Sequence, residues 1–203
     1  MKRLISLAFA LLVLTALPLR AQEMTAFAIT VHADALDAAF WAEQMRQADL
    51  LFAPANVRFV QSGEVRTGDA VGPIDDRDAR DRLAQLVEMT RGGEPSRIHV
   101  FVTPRLSDVD APGERGGVHW RFRRQRRVHY IILSDHTWPT TLAHELGHYF
   151  GNPHSPTPNN IMSYTRDGTT PPFFDARQIR RIGTHRARFV RAGVERLPLL
   201  EQP

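Results

Sequence analysis

From Thr25 to Ala33 the stretch TAFAITVHA alternates loosely between apolar and polar residues and is rich in strand formers, which predicts a β-strand. The period then changes. Trp41, Met45, Ala48 and Phe52 recur at spacings of four, three and four, one face of a helix that Pro54 ends. VRFVQS (57–62) reads as a short strand. DDRDARDRLAQLVEMTRGG (75–93) predicts a helix with Leu83, Leu86, Val87 and Thr90 inward, Gly92 and Gly93 beyond its end, and an acidic first turn that suits the helix dipole. RIHVFVTP (97–104) is a buried-looking strand, and GGVHWRF (116–122) and VHYIILS (128–134) are two more, joined by the basic run RRQRR. A further helix is expected from Pro139 to Phe150, closed by Gly151, because proline suits a first helical turn where its missing N–H is not needed. A proline-rich loop runs from Asn152 to Pro172. The last helix begins at DARQIRRI (175–182), where Asp175 and Gln178 form a capping-box pattern, and Ile179, Ile182, Phe189 and Val190 give it an apolar face. This order predicts one α+β domain, α/β-like, with a mixed twisted sheet, the 139–150 helix packed on it and a C-terminal helix. No internal repeat or long linker interrupts it, and 203 residues suit one domain.

The first residues do not belong to that pattern. MKRLISLAFALLVLTALPLRAQ has a basic start (Lys2, Arg3), an apolar run from Leu4 to Leu17, a helix breaker at Pro18 and a small residue at Ala21. That is the anatomy of a signal peptide, cleaved after Ala21, and it divides the chain into residues 1–21 and a mature domain 22–203. The run is shorter than the roughly 20 residues of a membrane span. The expected location is therefore secreted or periplasmic, with no stable membrane insertion after cleavage and a monomeric product. Cleavage removes Lys2, Arg3 and Arg20 and no acid, leaving 23 basic against 22 acidic residues, a net charge of about +1 rather than +4. A nearly neutral domain gives little support to general polyanion binding. There is no cysteine, so an exported chain must hold together by its core, and any metal site must use nitrogen and oxygen.

HELGHYFGNPH (144–154) supplies such a site. On a helix His144 and His148 project from one face about a turn apart, and two neutral imidazoles so placed can grip Zn²⁺ at about 2.0–2.1 Å. Glu145 points sideways from that pair, outside the ligand set but within reach of a metal-activated water whose proton it could take. A catalytic zinc needs a third protein ligand. Gly151, free to take positive φ, can stop the helix and turn the chain so that His154 arrives underneath.

These residues resemble the extended zinc signature of the metzincin metallopeptidases, HExxHxxGxxH, at every fixed position. Those enzymes carry a methionine turn downstream, and NNIMSY (159–164) offers Met162 for it. The resemblance implies a single metzincin-type catalytic domain in which His144, His148 and His154 bind one zinc, Glu145 is the general base and Met162 forms an apolar floor without touching metal. In astacin-like, serralysin-like and pappalysin-like members a tyrosine two residues after this methionine approaches the zinc, which gives Tyr164 a supporting role. The family's edge strand pairs with extended peptide; here that strand is GGVHWRF, with Gly117 and His119 as substrate-side positions. MSYTRDG and FFDARQIRRI are most similar to small pappalysin-like or matrixin-like members. Matrixins are often held latent by a propeptide cysteine. This chain has none and only a few residues before its first strand, so the expectation is an enzyme exported active or restrained by another protein.

RFRRQRR (121–127) reads first as a solvated hairpin tip. Its second reading is attraction to acidic substrate, anionic lipid or polysaccharide, which supports an alternative function: an exported, zinc-stabilised binding protein for a polyanionic partner. One arginine cluster is a weak footprint for nucleic acid. His32, His99, His129, His136 and His185 lack ligand spacing and read as structural. DDRD (75–78) offers oxygen atoms that could serve Ca²⁺, but a helix start explains it more simply. The primary expectation is a zinc-dependent endopeptidase acting on peptides or proteins.

Overall fold

The structure, a computed structural model, describes residues 23–67, 71–89 and 96–197. The expected signal peptide, and Thr90, Gly92 and Gly93 at the end of the second helix, lie outside them. The elements run β1 (Thr25–His32), α1 (Ala38–Phe52), a single 3₁₀ turn (Ala53–Ala55), β2 (Val57–Gln61), α2 (Arg77–Met89), β3 (Ile98–Thr103), β4 (Gly117–Arg121), β5 (His129–Ser134), α3 (Thr141–Tyr149) and α4 (Ala176–Arg191). The five strands make one mixed sheet in the order β2-β1-β3-β5-β4. All neighbours are parallel except β4, which pairs antiparallel with β5 at one edge.

Side-chain alternation divides the core in two. On β5, Ile131 and Leu133 face one side with Ile98, Val100 and Val102 of β3, while Tyr130 and Ile132 face the other with Phe101. The first side is covered by α1, α3 and α4 through Trp41, Phe52, Leu142, Leu146 and Ile182. The second is covered by α2 through Leu83 and Val87. Because β1, β3 and β5 are covered on both faces, they read as nearly continuous apolar runs, as parallel strands do.

Local chemistry sets the boundaries. Asp37 caps α1 by accepting the Phe40 N–H at 2.9 Å, and Asn56, with φ of 55°, turns the chain into β2 after Pro54. Asp76 caps α2 by accepting from Ala79 N–H at 2.6 Å. The neighbouring carboxylates of the 75–78 run serve Arg105 and Ser107 (Asp75) and Arg123 (Asp78). The capping box of α4 is formed, Asp175 accepting from Gln178 N–H and Gln178 from Asp175 N–H. α3 begins two residues after Pro139. The Trp138 carbonyl accepts from both Thr141 N–H (3.0 Å) and Gln44 Nε2 (2.8 Å), which holds the chain in a turn there. Thr140 gives no side-chain cap, and Gln44, fully buried on α1, accepts the Leu142 N–H at 2.9 Å instead. Phe150, just past α3, anchors its end edge-on to Phe27, Phe52 and Phe189 at centroid distances of 5.7, 5.5 and 5.0 Å. Among the described residues no helix is long and apolar enough to cross a membrane.

Candidate metal centre

α3 presents His144 and His148 from one face, ring centroids 4.8 Å apart. The helix then stops in a defined way. Asn152 N–H bonds the Gly147 carbonyl and Gly151 N–H the His148 carbonyl, each at 2.9 Å, the paired bonds of a Schellman turn. Its left-handed position is Gly151, φ 84°, where a Cβ would also lie 2.5 Å from Nε2 of His185. The reversed chain carries His154 back to the other two, its ring 4.6 Å from His148 and 5.5 Å from His144.

Each ring of the helix pair is fixed through one nitrogen. His144 Nδ1 donates to the Ile161 carbonyl at 2.7 Å, and His148 Nδ1 to the Asn152 carbonyl at 2.8 Å. Both Nε2 atoms are then left as acceptors. His148 Nε2 faces His154 Nε2 at 3.0 Å, and the three donor atoms lie within 4.8 Å of one another. Two nitrogens on a tetrahedral zinc would be about 3.3 Å apart, so the spacing suits the ion. The protonation state suits it as well, since metal binding needs neutral imidazoles. Burial, then the neighbouring His144, pushes His148 down to about 4. Burial likewise lowers His144 and His154. The donor set and its backbone anchors therefore fit a zinc ion.

Beneath the helix Met162 is fully buried, and a Cβ at Gly147 would lie 2.3 Å from its sulfur. Glycine between the two helix histidines is thus the space that admits the methionine. The turn is held from three sides. Asn160 and Gln178 exchange two side-chain bonds (2.8 and 3.0 Å), and Asn160 Oδ1 accepts from Met162 N–H at 2.9 Å, tying the turn to the cap of α4. Ser155 N–H reaches the Met162 carbonyl at 2.9 Å, next to His154. The Arg166 guanidinium collects the carbonyls of Asn160, Ser163 and Ile161 at 3.0, 2.6 and 3.3 Å, the last being the anchor of His144. Gly147, Asn160, Arg166, Gln178 and Gln44 were not singled out for the site from the sequence. Only the position of Gly147 between the histidines hinted at a tight contact.

Glu145 is 5% exposed, and burial pushes its carboxyl up to about 8, opposed by a hydrogen bond from the backbone of His119 and the charges of Arg115 and Arg80. That His119 bond belongs to the outer edge of β4. Ser134 N–H to Gly116 carbonyl and Phe122 N–H to Val128 carbonyl bracket the β4–β5 ladder. By antiparallel alternation the backbone groups of Gly117, His119 and Arg121 therefore point away from β5. Gly117 packs against the helix, where a Cβ would lie 3.0 Å from Glu145 Cγ. The His119 side chain turns toward His129, Nε2 to Nδ1 2.9 Å. Tyr164 is 71% exposed and brings its hydroxyl to 2.8 Å from His154 Nε2. Arg115, paired with Asp108 at 2.8 Å, stands beside Tyr164 on the rim of the same cleft. The structure thus gathers Glu145, His148, His154, Gly117, His119 and Tyr164 around one open cleft with Gly151 at its end, while His144 completes the triad from behind and Met162 lies below the helix.

No protein-family model matches the chain, and no curated protein matches it. Solved structures do. Metalloproteinase-II from Bacteroides fragilis superposes with a TM-score of 0.56 and 16% identity over 83% of this chain and 55% of that one, so this chain spans about half its length. A zinc-dependent peptidase from Methanocorpusculum labreanum gives 0.51 and 15% over 76% and 99% of the two chains. Archaemetzincin from Methanopyrus kandleri gives 0.51 and 16% over 84% and 99%. The chain therefore has the mixed α/β fold of these zinc metallopeptidases.

Proposed function

We propose that this protein is an exported zinc-dependent endopeptidase of the metzincin type, residues 22–203 being the catalytic domain and 1–21 a cleaved signal peptide. The observation that carries the reading is a buried Glu145 beside three converging imidazoles at the foot of an open strand edge. His144, His148 and His154 would hold the ion through Nε2. When bound, the ion supplies Lewis acidity, which polarises a peptide carbonyl and eases the loss of a water proton.

The rest is done by the chain. Glu145, raised toward neutrality by burial, is basic enough to accept a proton from water and acidic enough to return it to the leaving amine. The outward N–H and C=O groups of Gly117 and Arg121 can pair with an extended peptide, and the missing side chain at Gly117 lets Glu145 lie directly against that strand. Tyr164, whose hydroxyl lies 2.8 Å from His154 Nε2, offers it to the oxygen on which negative charge develops. The metzincin assignment is supported by HExxHxxGxxH, by Met162 against Gly147 and by the likeness to a protein named archaemetzincin. A pappalysin-like or matrixin-like placement rests on the MSY turn and the last helix. The polyanion-binding alternative loses part of its charge, because Arg123 is engaged by Asp78 and Asp81.

The test is cleavage of a diverse peptide mixture by purified residues 22–203, read by mass spectrometry beside Glu145→Gln. The expected result is one zinc per chain in both proteins and a turnover about 10²–10⁴-fold lower in the variant. Undiminished turnover by Glu145→Gln would remove the role given to that carboxylate. A zinc-loaded wild type that cuts nothing would overturn the peptidase reading.

A further inference from the structure

β4 runs out of the reaction centre into a cationic recess. Its alternation puts Gly117, His119 and Arg121 on one face, and Gly117 touches Glu145, so Arg121 stands on the reaction side. At about 3.3 Å per residue it lies roughly 13 Å along the edge from Gly117. Facing it, α4 carries Arg181, His185 and Arg188 at spacings of four and three, one helical face. The His185 ring lies against Gly151, and Arg181 donates to the Gly151 carbonyl at 3.4 Å. Gly151, Asn152 and Arg121 line the same cleft. The charges acting on His185 are those of Arg188, Arg181 and Arg121, with no carboxylate among them.

No acid among the described residues neutralises these arginines. Among the described residues Arg121, Arg181 and Arg188 form no ion pair, whereas Arg115 is held by Asp108 at 2.8 Å and Arg123 by Asp81 at 2.6 Å. Beside them Asn152 is 2% exposed, and neither its amide nitrogen nor its amide oxygen has a hydrogen-bond partner among the described residues. Like charges brought together without a counter-ion repel, and an anion placed among them relieves that repulsion. Guanidinium groups match a carboxylate by paired hydrogen bonds.

Resting on the peptidase reading above, we propose that this recess is a carboxylate subsite, by which Arg121 and Arg188 select peptides carrying an acidic group about two to four residues to one side of the scissile bond. The carboxylate can be an Asp or Glu side chain or the free C-terminus of the substrate. The first source makes an acid-selective endopeptidase; the second confines cleavage to the end of a chain.

The experiment uses the zinc-loaded mature protein and sets of synthetic peptides of one sequence, with Glu or Gln stepped through each position and the C-terminus free or amidated. The expected result is a kcat/KM about three- to tenfold higher for one placement of the carboxylate, carried by KM and shrinking as salt is raised. Arg121→Gln with Arg188→Gln should abolish that preference, and Arg121→Glu should invert it toward peptides with arginine at the same place. Arg124→Gln, away from the cleft, should leave the preference intact. A preference for Glu in amidated peptides identifies the side-chain source, and one lost on amidation identifies the C-terminus. Cleavage with equal rates for Glu and Gln and for free and amidated ends overturns the subsite while leaving the peptidase. Absence of any cleavage overturns both.

Discussion

His32 and His99 meet across β1 and β3 with ring nitrogens 3.0 Å apart, and His119 meets His129 across β4 and β5 at 2.9 Å. His144, His148 and His154 instead surround a common point. The same side chain serves opposite ends in the two regions. A pair of neutral imidazoles can close on itself, because one N–H donates to one lone pair and a single proton serves both rings. The triad cannot close in this way. Two of its rings already spend their N–H on the Ile161 and Asn152 carbonyls, and their Nε2 lone pairs turn inward with His154. A proton shared between two nitrogens leaves the third unserved, and a divalent cation serves all three. Paired histidines therefore complete a fold, whereas three converging histidines ask for a ligand.

The largest expected effect separates the two regions outright. His148→Ala should lose stoichiometric zinc and all measurable cleavage, while His99→Phe should keep one zinc per chain and lower stability by about 1–3 kcal/mol by leaving a buried partner of His32 missing. Metal analysis beside thermal unfolding reads both, and loss of zinc in His99→Phe would erase the distinction. A smaller effect is expected from the support of the triad. Arg166→Met leaves the Ile161 carbonyl, anchor of His144, without its second donor. Zinc affinity measured by competition with a chelator should fall about 10–100-fold, and an unchanged affinity would reduce Arg166 to a loop tie.

The most gradual effect is one of pH. Burial, then the charges of His129 and Arg121, pushes His119 down to about 2. A histidine whose folded pKa lies below its unfolded value of about 6.5 binds fewer protons in the fold, so its contribution is complete above that pH and is lost below it. Stability should decline as pH falls from 6.5, by up to about 1.4 kcal/mol per unit for each such ring. Added zinc should offset the part due to the triad by mass action and leave the part due to His119. Unfolding midpoints between pH 4.5 and 7.5, with and without excess zinc, check this. A loss that zinc cancels entirely would assign all the acid sensitivity to the metal centre.

The order of strands and helices was legible in the chain because each element carries its own period. Trp41, Ala48 and Phe52 line the buried face expected of α1, while Met45 is only partly covered and Gln44 takes a buried place no apolar pattern would assign. The triad was legible for a related reason. Its spacings of four and six lie within one helix and its stop, so geometry follows from local conformation. What escaped depends on elements far apart in sequence. His32 and His99 are 67 residues apart and meet only because β1 and β3 are neighbours in register. Asn160 and Gln178, and Arg121 with the basic face of α4, likewise meet only after the chain has folded. Pro139 misled by two residues, since the first turn of α3 is set by a side chain on another helix.

That side chain orders events in time. α3 has nine residues, too few for a helix to persist alone in water, and its first turn is capped by Gln44, 98 residues earlier in the chain. Until α1 has docked, His144 and His148 lie on a segment that does not hold helical spacing, and zinc has no preformed pair to bind. The two helices therefore couple packing to geometry: the spacing of the imidazoles on α3 is fixed only where α1 has closed the core around Gln44, so an unfolded chain offers an ion no preformed pocket.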